Sequence, residues 1–280
     1  MLKKRPMISS LLYRLNHAPL WRREIRVWDR PMRAASLDRL VCLALHRSGF
    51  MGSREAALLP ALVRPGMQVI DVGANLGLYS LLLSGLVGNT GSVLAFEPEP
   101  NLFAILRENC ARNGATNVRV FPYALGRASG HASLQRSAFN SGDNRLGYAS
   151  PTHEAVEVQV EKFDDLHPDS RPDFVKIDVQ GHELGALLGM EQALMRGPIV
   201  RVLFEFAPAA LRRAQTEPRE LLQFFAERGF HLYETHQSGF EKMNDPESLL
   251  GRLRGNRYTN LVASRDSVVA DASGGESASA

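Results

Sequence analysis

Residues 69–80, VIDVGANLGLYS, decide the fold. Val69, Ile70 and Val72 read as the end of an apolar strand. The chain then turns at Gly73 and restarts as a helix at about Gly77. A strand that stops at glycine and reopens as a helix presents free N–H groups and a positive dipole end. It leaves room for a nucleotide-like ligand to approach the backbone.

The spacing narrows the ligand. The motif is Gly73-x-Asn75-x-Gly77, with Asp71 two residues ahead of the first glycine. Dinucleotide sites need GxGxxG to bring backbone against a pyrophosphate, and that pattern is missing. A carboxylate at Asp71 repels a pyrophosphate but suits a ligand that carries an ammonium group. Glu97, twenty residues past Gly77, ends the next strand, where an acid can accept both hydroxyls of a ribose. A ribose together with an ammonium group points to S-adenosylmethionine.

Outward from the motif, strands and helices alternate. Residues 66–71 form a strand after a Pro-Gly turn. Residues 76–86 are apolar on nearly every side, as in a helix buried against a sheet. Ser92 to Glu97 is a second strand, 99–113 a helix, and Asn117 to Tyr123 a third strand. Three such steps imply a parallel sheet with right-handed crossovers. The rhythm breaks over 127–171, where two alternating runs, 131–135 and 156–160, flank a long polar stretch. This is expected to be an inserted hairpin or sheet extension with a substrate loop. It returns with a strand at 173–178, a helix from about His182 and a strand at 199–206. A helix capped at Thr216 and ended by Gly229 follows, then strands at 230–235 and 257–264. The tail from 266 is small and polar and is expected to be disordered.

Charge is uneven. Residues 1–54 carry twelve Lys/Arg against Glu24, Asp29 and Asp38, a balance of +9 that leaves −6 for the rest of a chain of net +3. We expect residues 1–58 to form a basic, helical cap on a domain spanning 59–265. The arm, with Leu11, Leu12, Leu15, Trp21 and Trp28, also suits an anionic membrane surface, and a nucleic-acid role is disfavoured. No stretch is apolar for long enough to span a bilayer, and the start is too interrupted for a secretory signal. Cys42 and Cys110 have no metal-binding spacing and read as reduced core thiols. A cytoplasmic enzyme is expected, possible contacts with the inner membrane surface included.

These motifs resemble those of the FkbM-type S-adenosylmethionine-dependent methyltransferases. The resemblance rests on DVGANLGLYS (71–80), FEPEP and NLFAILREN (96–109), Asn117-Val with Ala124-Leu-Gly126, and FDDL (163–166). It continues through KIDVQGHELGALLGM (176–190), LFEF (203–206) and TNLVAS (259–264). It implies an α/β, Rossmann-like, seven-stranded class I methyltransferase sheet with helices on both faces and the last strand antiparallel. It also implies methyl transfer to a hydroxyl of a glycan, glycolipid or secondary metabolite. Cofactor contacts are expected at Asp71, Gly73, Ala74, Asn75, Gly77, Glu97, Pro98 and Ala124. Gln180 stands where the family usually has Glu. If that acid is catalytic, activity changes here; if it only orients the turn, Gln serves.

Ligands of open α/β sheets bind at the carboxyl ends of the strands. Asp178 and Glu205 lie at or near such ends, and His182 and Glu183 begin the following helix. Asp178 is the first candidate for accepting the hydroxyl proton and His182 the second. Lys176, on the face of its strand that Asp178 shares, either pairs with Asp178 or Glu205 or holds the substrate hydroxyl. Glu183 either binds substrate or favours the helix N-terminus. Two carboxylates without a third ligand do not favour a metal. Two other readings remain: an RNA methyltransferase, which lacks the (D/N)PP(Y/F) signature at Asp178-Val-Gln-Gly181, and a non-catalytic binding subunit suggested by Gln180.

Overall fold

A computed structural model describes residues 22–27, 30–35, 53–137, 141–147, 153–197, 200–236 and 239–268. The first described elements are a hairpin, β1 (Arg22–Val27) and β2 (Arg30–Ala35), and helix α1 (Ser53–Leu62). Next come β3 (Gln68–Val72), α2 (Leu78–Val87), β4 (Ser92–Phe96), α3 (Pro100–Arg112) and β5 (Val118–Phe121). A smaller unit holds β6 (Ala124–Leu125), β7 (Gly130–Ser137), β8 (Arg145–Leu146) and β9 (His153–Glu161). The chain returns through α4 (Phe163–Leu166), β10 (Phe174–Ile177), α5 (Glu183–Gly189), α6 (Glu191–Arg196) and β11 (Arg201–Phe206). It closes with α7 (Pro208–Arg213), α8 (Pro218–Glu227), β12 (His231–His236), β13 (Gly239–Lys242), α9 (Pro246–Arg252) and β14 (Thr259–Ser264).

The main sheet has the order β13-β12-β14-β11-β10-β3-β4-β5. The five strands from β11 to β5 are parallel to their neighbours, and β14 inserts antiparallel between β11 and β12. This is the expected seven-stranded order with its last strand reversed. An eighth strand, β13, is added at the edge by a hairpin from β12. From β3 the chain runs outward to β5, then returns to β10 on the other side of β3. The two strands at this reversal place Val72 opposite Ile177.

Alternation along the strands sends side chains to two faces. Ile70, Val72, Ile177, Phe204 and Phe206 pack with α5, α7 and α8 in one core cluster. Val69, Val93, Phe174 and Leu203 pack with α1 and α2 on the other face. Phe204 stacks on Phe225 of α8 at 4.8 Å between ring centroids, a contact type worth about 0.5–1.5 kcal/mol beyond burial. In α8 only one side is apolar, with Leu221, Leu222, Phe224 and Phe225 buried. Its N-cap is Glu217, one residue past the expected Thr216, because Pro218 is pre-shaped for the first helical position.

The FDDL motif has a structural role. Both oxygens of Asp164 accept from the start of α6, at 2.9 Å from the Gln192 N–H and 2.8 Å from the Ala193 N–H. A carboxylate there satisfies orphan donors and suits the helix dipole.

The insertion forms its own sheet, β6-β9-β7-β8, in which β7 and β9 make the expected hairpin. The expectation of a helical N-terminal extension is corrected in its described part, where β1 and β2 pair antiparallel. Val27, Met32 and Ala34 bury themselves against Leu102, Leu106 and Cys110 of α3. Asn109 of α3 holds the hairpin: its Oδ1 accepts the Arg33 N–H at 2.6 Å, and its Nδ2 donates to Arg33 O at 3.1 Å and Leu76 O at 2.7 Å. Cys110 is a buried free thiol. Leu11, Leu12, Leu15, Trp21, Trp28, Cys42 and the tail from 269 lie outside the described residues. Among the described residues no helix is long and apolar enough to cross a membrane.

Candidate active site

The site opens where β3 and β10 end side by side. Gly73 follows β3 with φ 80°, and a Cβ there would lie 2.1 Å from the Asp178 carbonyl oxygen that follows β10. Gly77 has φ 88°, and a Cβ there would meet Leu106 of α3 at 2.4 Å. Both glycines therefore answer first to packing within the chain, and only through it to a ligand. Asn75 also has positive φ, 51°, a conformation that Asn tolerates better than most residues. Its Oδ1 accepts the Leu76 N–H at 2.8 Å, and its Nδ2 donates to Ser141 O at 3.1 Å. The motif loop is thus tied to the insertion.

Glu97 locks the next corner. One oxygen accepts the Asn75 N–H at 2.8 Å and the other the Glu99 N–H at 2.9 Å. Each oxygen keeps a further lone pair. Burial pushes the Glu97 carboxyl up to about 8. Glu99 caps α3 through the Leu102 N–H at 2.8 Å and receives Arg136 of β7 at 3.2 Å.

The second group surrounds Lys176. Its Nζ lies 3.7 Å from Asp71 Oδ1, 3.7 Å from Asp178 Oδ2 and 4.5 Å from the centre of the Tyr79 ring. Asp71 is fully buried and also accepts from Ser80 Oγ at 2.6 Å. Burial raises the Asp71 carboxyl, opposed by Lys176. Gln180 donates from its side-chain amide to Asp178 Oδ1 and to Glu205 Oε2, each at 3.1 Å. Burial, then the Asp178 charge, pushes Glu205 well above the usual carboxylate range. His182 Nε2 is 3.0 Å from Leu146 O of β8, and burial lowers its affinity for a proton. Glu183 Oε1 accepts the N–H groups of Val179 and Gly181, at 3.3 and 3.1 Å. Its carboxyl is pushed up to about 7 by burial.

A cavity enclosing about 1120 Å³, part of it open to solvent, joins the two groups. Of the expected cofactor residues, Gly73, Ala74, Asn75, Glu97, Pro98 and Ala124 line it, while Asp71 and Gly77 do not. Of the expected catalytic residues, Lys176, Asp178 and His182 line it; Glu205 adjoins it through Gln180, and Glu183 is turned into the loop beneath. Residues 144–146 of the expected substrate loop also form walls, while sequence reasoning missed Met32 of the hairpin, Tyr79 and Tyr123. Tyr79 carried a usable signal, since it falls on the helix turn just after the motif. Met32 carried none, because long-range packing puts it there.

The walls fit S-adenosylmethionine. The first turn of α2 has no side-chain cap and exposes backbone donors to an anionic group. Glu97 is placed to accept ribose hydroxyls, and Met32, Phe96, Leu102 and Leu125 offer an apolar slot for a base. Among the described residues no three His, Cys, Asp or Glu side chains gather as a metal site.

Comparison with known proteins agrees with the motifs. The methyltransferase FkbM domain model matches residues 71–232, more than half the chain. Hexuronic acid methyltransferase AglP of Haloferax volcanii is 33% identical over 128 residues, covering 44% of this chain and 50% of that protein. The 31-O-demethyl-FK506 methyltransferase FkbM of Streptomyces tacrolimicus is 29% identical over 162 residues, 47% of this chain and 62% of that protein. The chain thus spans about half to two-thirds of the length of these relatives. A solved structure of M. jannaschii TYW2 in complex with AdoMet has TM-score 0.46 and 13% identity over 87% of this chain and 85% of that one. With the motif loop, the KIDVQGHE block and the sheet order all in place, the chain belongs to the FkbM family of S-adenosylmethionine-dependent methyltransferases.

Proposed function

We propose that this protein transfers a methyl group to a hydroxyl oxygen of a glycan, glycolipid or secondary metabolite. The observation that carries the reading is the polar group at the cavity end of β10, where Lys176, Asp178 and His182 share one wall with the cofactor loop. A relative named for 31-O-demethyl-FK506 supports an oxygen acceptor, and one named for a hexuronic acid supports a sugar as its bearer.

Bound S-adenosylmethionine supplies a methyl group already activated by its sulfonium charge. The chain's own residues must orient the acceptor, exclude water and take its proton. Asp178 is the proton acceptor in this reading: its side chain is 40% exposed at the mouth, with Lys176 holding one oxygen and Gln180 the other. His182 is bonded to the insertion and is the second candidate, positioned to fix β8 over the acceptor. Lys176 orients Asp178, and Glu183 shapes the turn below it. Glu97, Pro98, Ala74 and Ala124 are proposed to hold the adenosyl end. Asp71 acts behind them, through Lys176.

The test is transfer of labelled methyl from S-adenosylmethionine into separated cell lipids and polysaccharides. Wild-type labelling of one fraction, reduced at least about a hundredfold by Asp178→Asn, is the expected result. Undiminished labelling by that variant would remove Asp178 from the reaction, and labelling of RNA alone would overturn the acceptor class.

A further inference from the structure

Gln180 is a long side chain in a costly place. Its φ is 54°, the left-handed region, which a residue with a Cβ adopts less readily than glycine. Gly181 beside it, with φ 108°, cannot carry a Cβ because the atom would lie 2.5 Å from Ala210 O. A turn built only for shape would tolerate glycine at 180 as well. Here the side chain reaches two carboxyls that belong to different strand ends.

The geometry around it is specific. The amide nitrogen has two hydrogens and meets two acceptors, Asp178 Oδ1 and Glu205 Oε2, each at 3.1 Å. Asp178 Oδ2 is left facing Lys176 at 3.7 Å. Glu205 is set in β11 opposite Asn260 of β14, and Asn260 in turn donates to Glu55 of α1 at 2.7 Å. The charged groups that act on Glu205 are Asp178, Glu183 and Lys176, and Glu205 itself acts on Tyr258 together with Glu55 and Asp178. Gln180 thus contacts two of three neighbouring acids, near one cation, and supplies donors without adding charge. Glu at this position would add a fourth acid and remove the donor.

We propose that Gln180 is a positioning residue whose amide ties Asp178 to Glu205, so that Asp178 presents Oδ2 to the acceptor beside Lys176. The role in transfer rests on the O-methylation reading above; the clamp itself does not. No bond is made or broken by Gln180. The acceptor's proton passes to Asp178 while its oxygen takes the methyl, whose bond to the sulfonium sulfur breaks with the electron pair left on sulfur. Burial and the Asp178 charge raise the Glu205 carboxyl, and the Gln180 donor works against them.

The experiment follows the Glu205 side-chain carboxyl by carbon-13 NMR in the full chain from pH 5 to 10, with the resonance assigned by Glu205→Gln. Losing a donor to the ionised form raises a carboxyl's titration. Gln180→Met is therefore expected to move the Glu205 midpoint up by about half a pH unit or more, and Gln180→Glu to move it further. If the Met variant does not fold, Gln180→Gly, which suits the left-handed backbone, takes its place. In the labelled cell fraction, the acidic limb of the pH–rate profile is expected to rise in Gln180→Glu, with S-adenosylhomocysteine binding kept within about threefold. Superimposable Glu205 titrations in the wild type and the Met or Gly variant would overturn the clamp. A moved titration with an unmoved rate profile would overturn its role in transfer. If no fraction accepts a methyl from the wild type, the O-methylation reading fails while the titration still decides on Gln180.

Discussion

Lys176 lies directly opposite Asp71 in the register of β3 and β10, and its ammonium is 3.7 Å from both Asp71 Oδ1 and Asp178 Oδ2. One buried cation therefore links the acid of the glycine motif to the acid that follows β10.

Lys176→Met leaves Asp71 buried beside only Ser80. Removing one partner of a buried ion pair costs about 3–5 kcal/mol. The sign with pH follows from Asp71, whose folded carboxyl is raised above the unfolded value of 3.8. Such a group stabilises below the unfolded value and loses that contribution as pH rises. The variant raises Asp71 further, so its stability loss in urea is expected to be larger at pH 8 than at pH 5. Adding Asp71→Asn is expected to recover most of it. Equal losses at both pH values would show that packing, and not charge, governs Lys176.

Glu97 gives a second pH signature. Its folded carboxyl, pushed up to about 8, lies above the ordinary value of 4.5. The contribution to stability is full below about 4.5 and is lost as pH rises toward about 8. Glu97→Gln is expected to flatten the stability profile over that interval. Glu97→Ala, by removing the ribose acceptor, is expected to weaken S-adenosylmethionine binding at least about tenfold by calorimetry.

The alternating steps around VIDVGANLGLYS were legible because each strand is short, apolar and closed by glycine, asparagine or an acid. Asp71 was expected at the ligand; it does not itself line the cavity, and its carboxylate meets Ser80 of α2 and Lys176, which does. The hairpin was not read: Ile25 and Val27, then Met32 and Ala34, alternate with polar residues over only two positions each among arginines, and Asn109 holds Arg33 from outside. Strand β13 carries only Phe240 as an apolar residue. The contact of Asn75 with Ser141 joins residues 66 apart, which local pattern cannot foresee.

Gly73 in the motif and Gly88 at the end of α2 separate packing from backbone conformation. Gly73→Ala forces a Cβ to 2.1 Å from the Asp178 carbonyl, a backbone atom that cannot yield cheaply. A loss of about 3 kcal/mol or more is expected, with weaker cofactor binding because β3 and β10 must part. Gly88→Ala also has positive φ, 64°, but meets nothing within 4 Å. With ψ −168° it sits in a region almost confined to glycine, and its cost is expected to be about 1–3 kcal/mol, with cofactor affinity unchanged. Similar losses at the two positions, read from urea midpoints, would place the whole cost in backbone conformation.

Asn109 connects the hairpin to the cofactor loop in one side chain, through Arg33 on one side and Leu76 O on the other. It is fully buried, so Asn109→Ala strands several polar groups at once. The expected cost is about 2–4 kcal/mol. Because Met32 of β2 lines the cavity, the effect should not remain structural. Hydrogen exchange of β1 and β2 is expected to accelerate more than that of β3 to β5, and S-adenosylmethionine affinity to fall about tenfold. Asn109→Asp keeps the acceptor for the Arg33 N–H but loses the donor to Leu76 O, so it should hold the hairpin better than it holds the loop. Uniform acceleration of exchange across the main sheet would instead make Asn109 a general core residue with no particular hold on the cofactor wall.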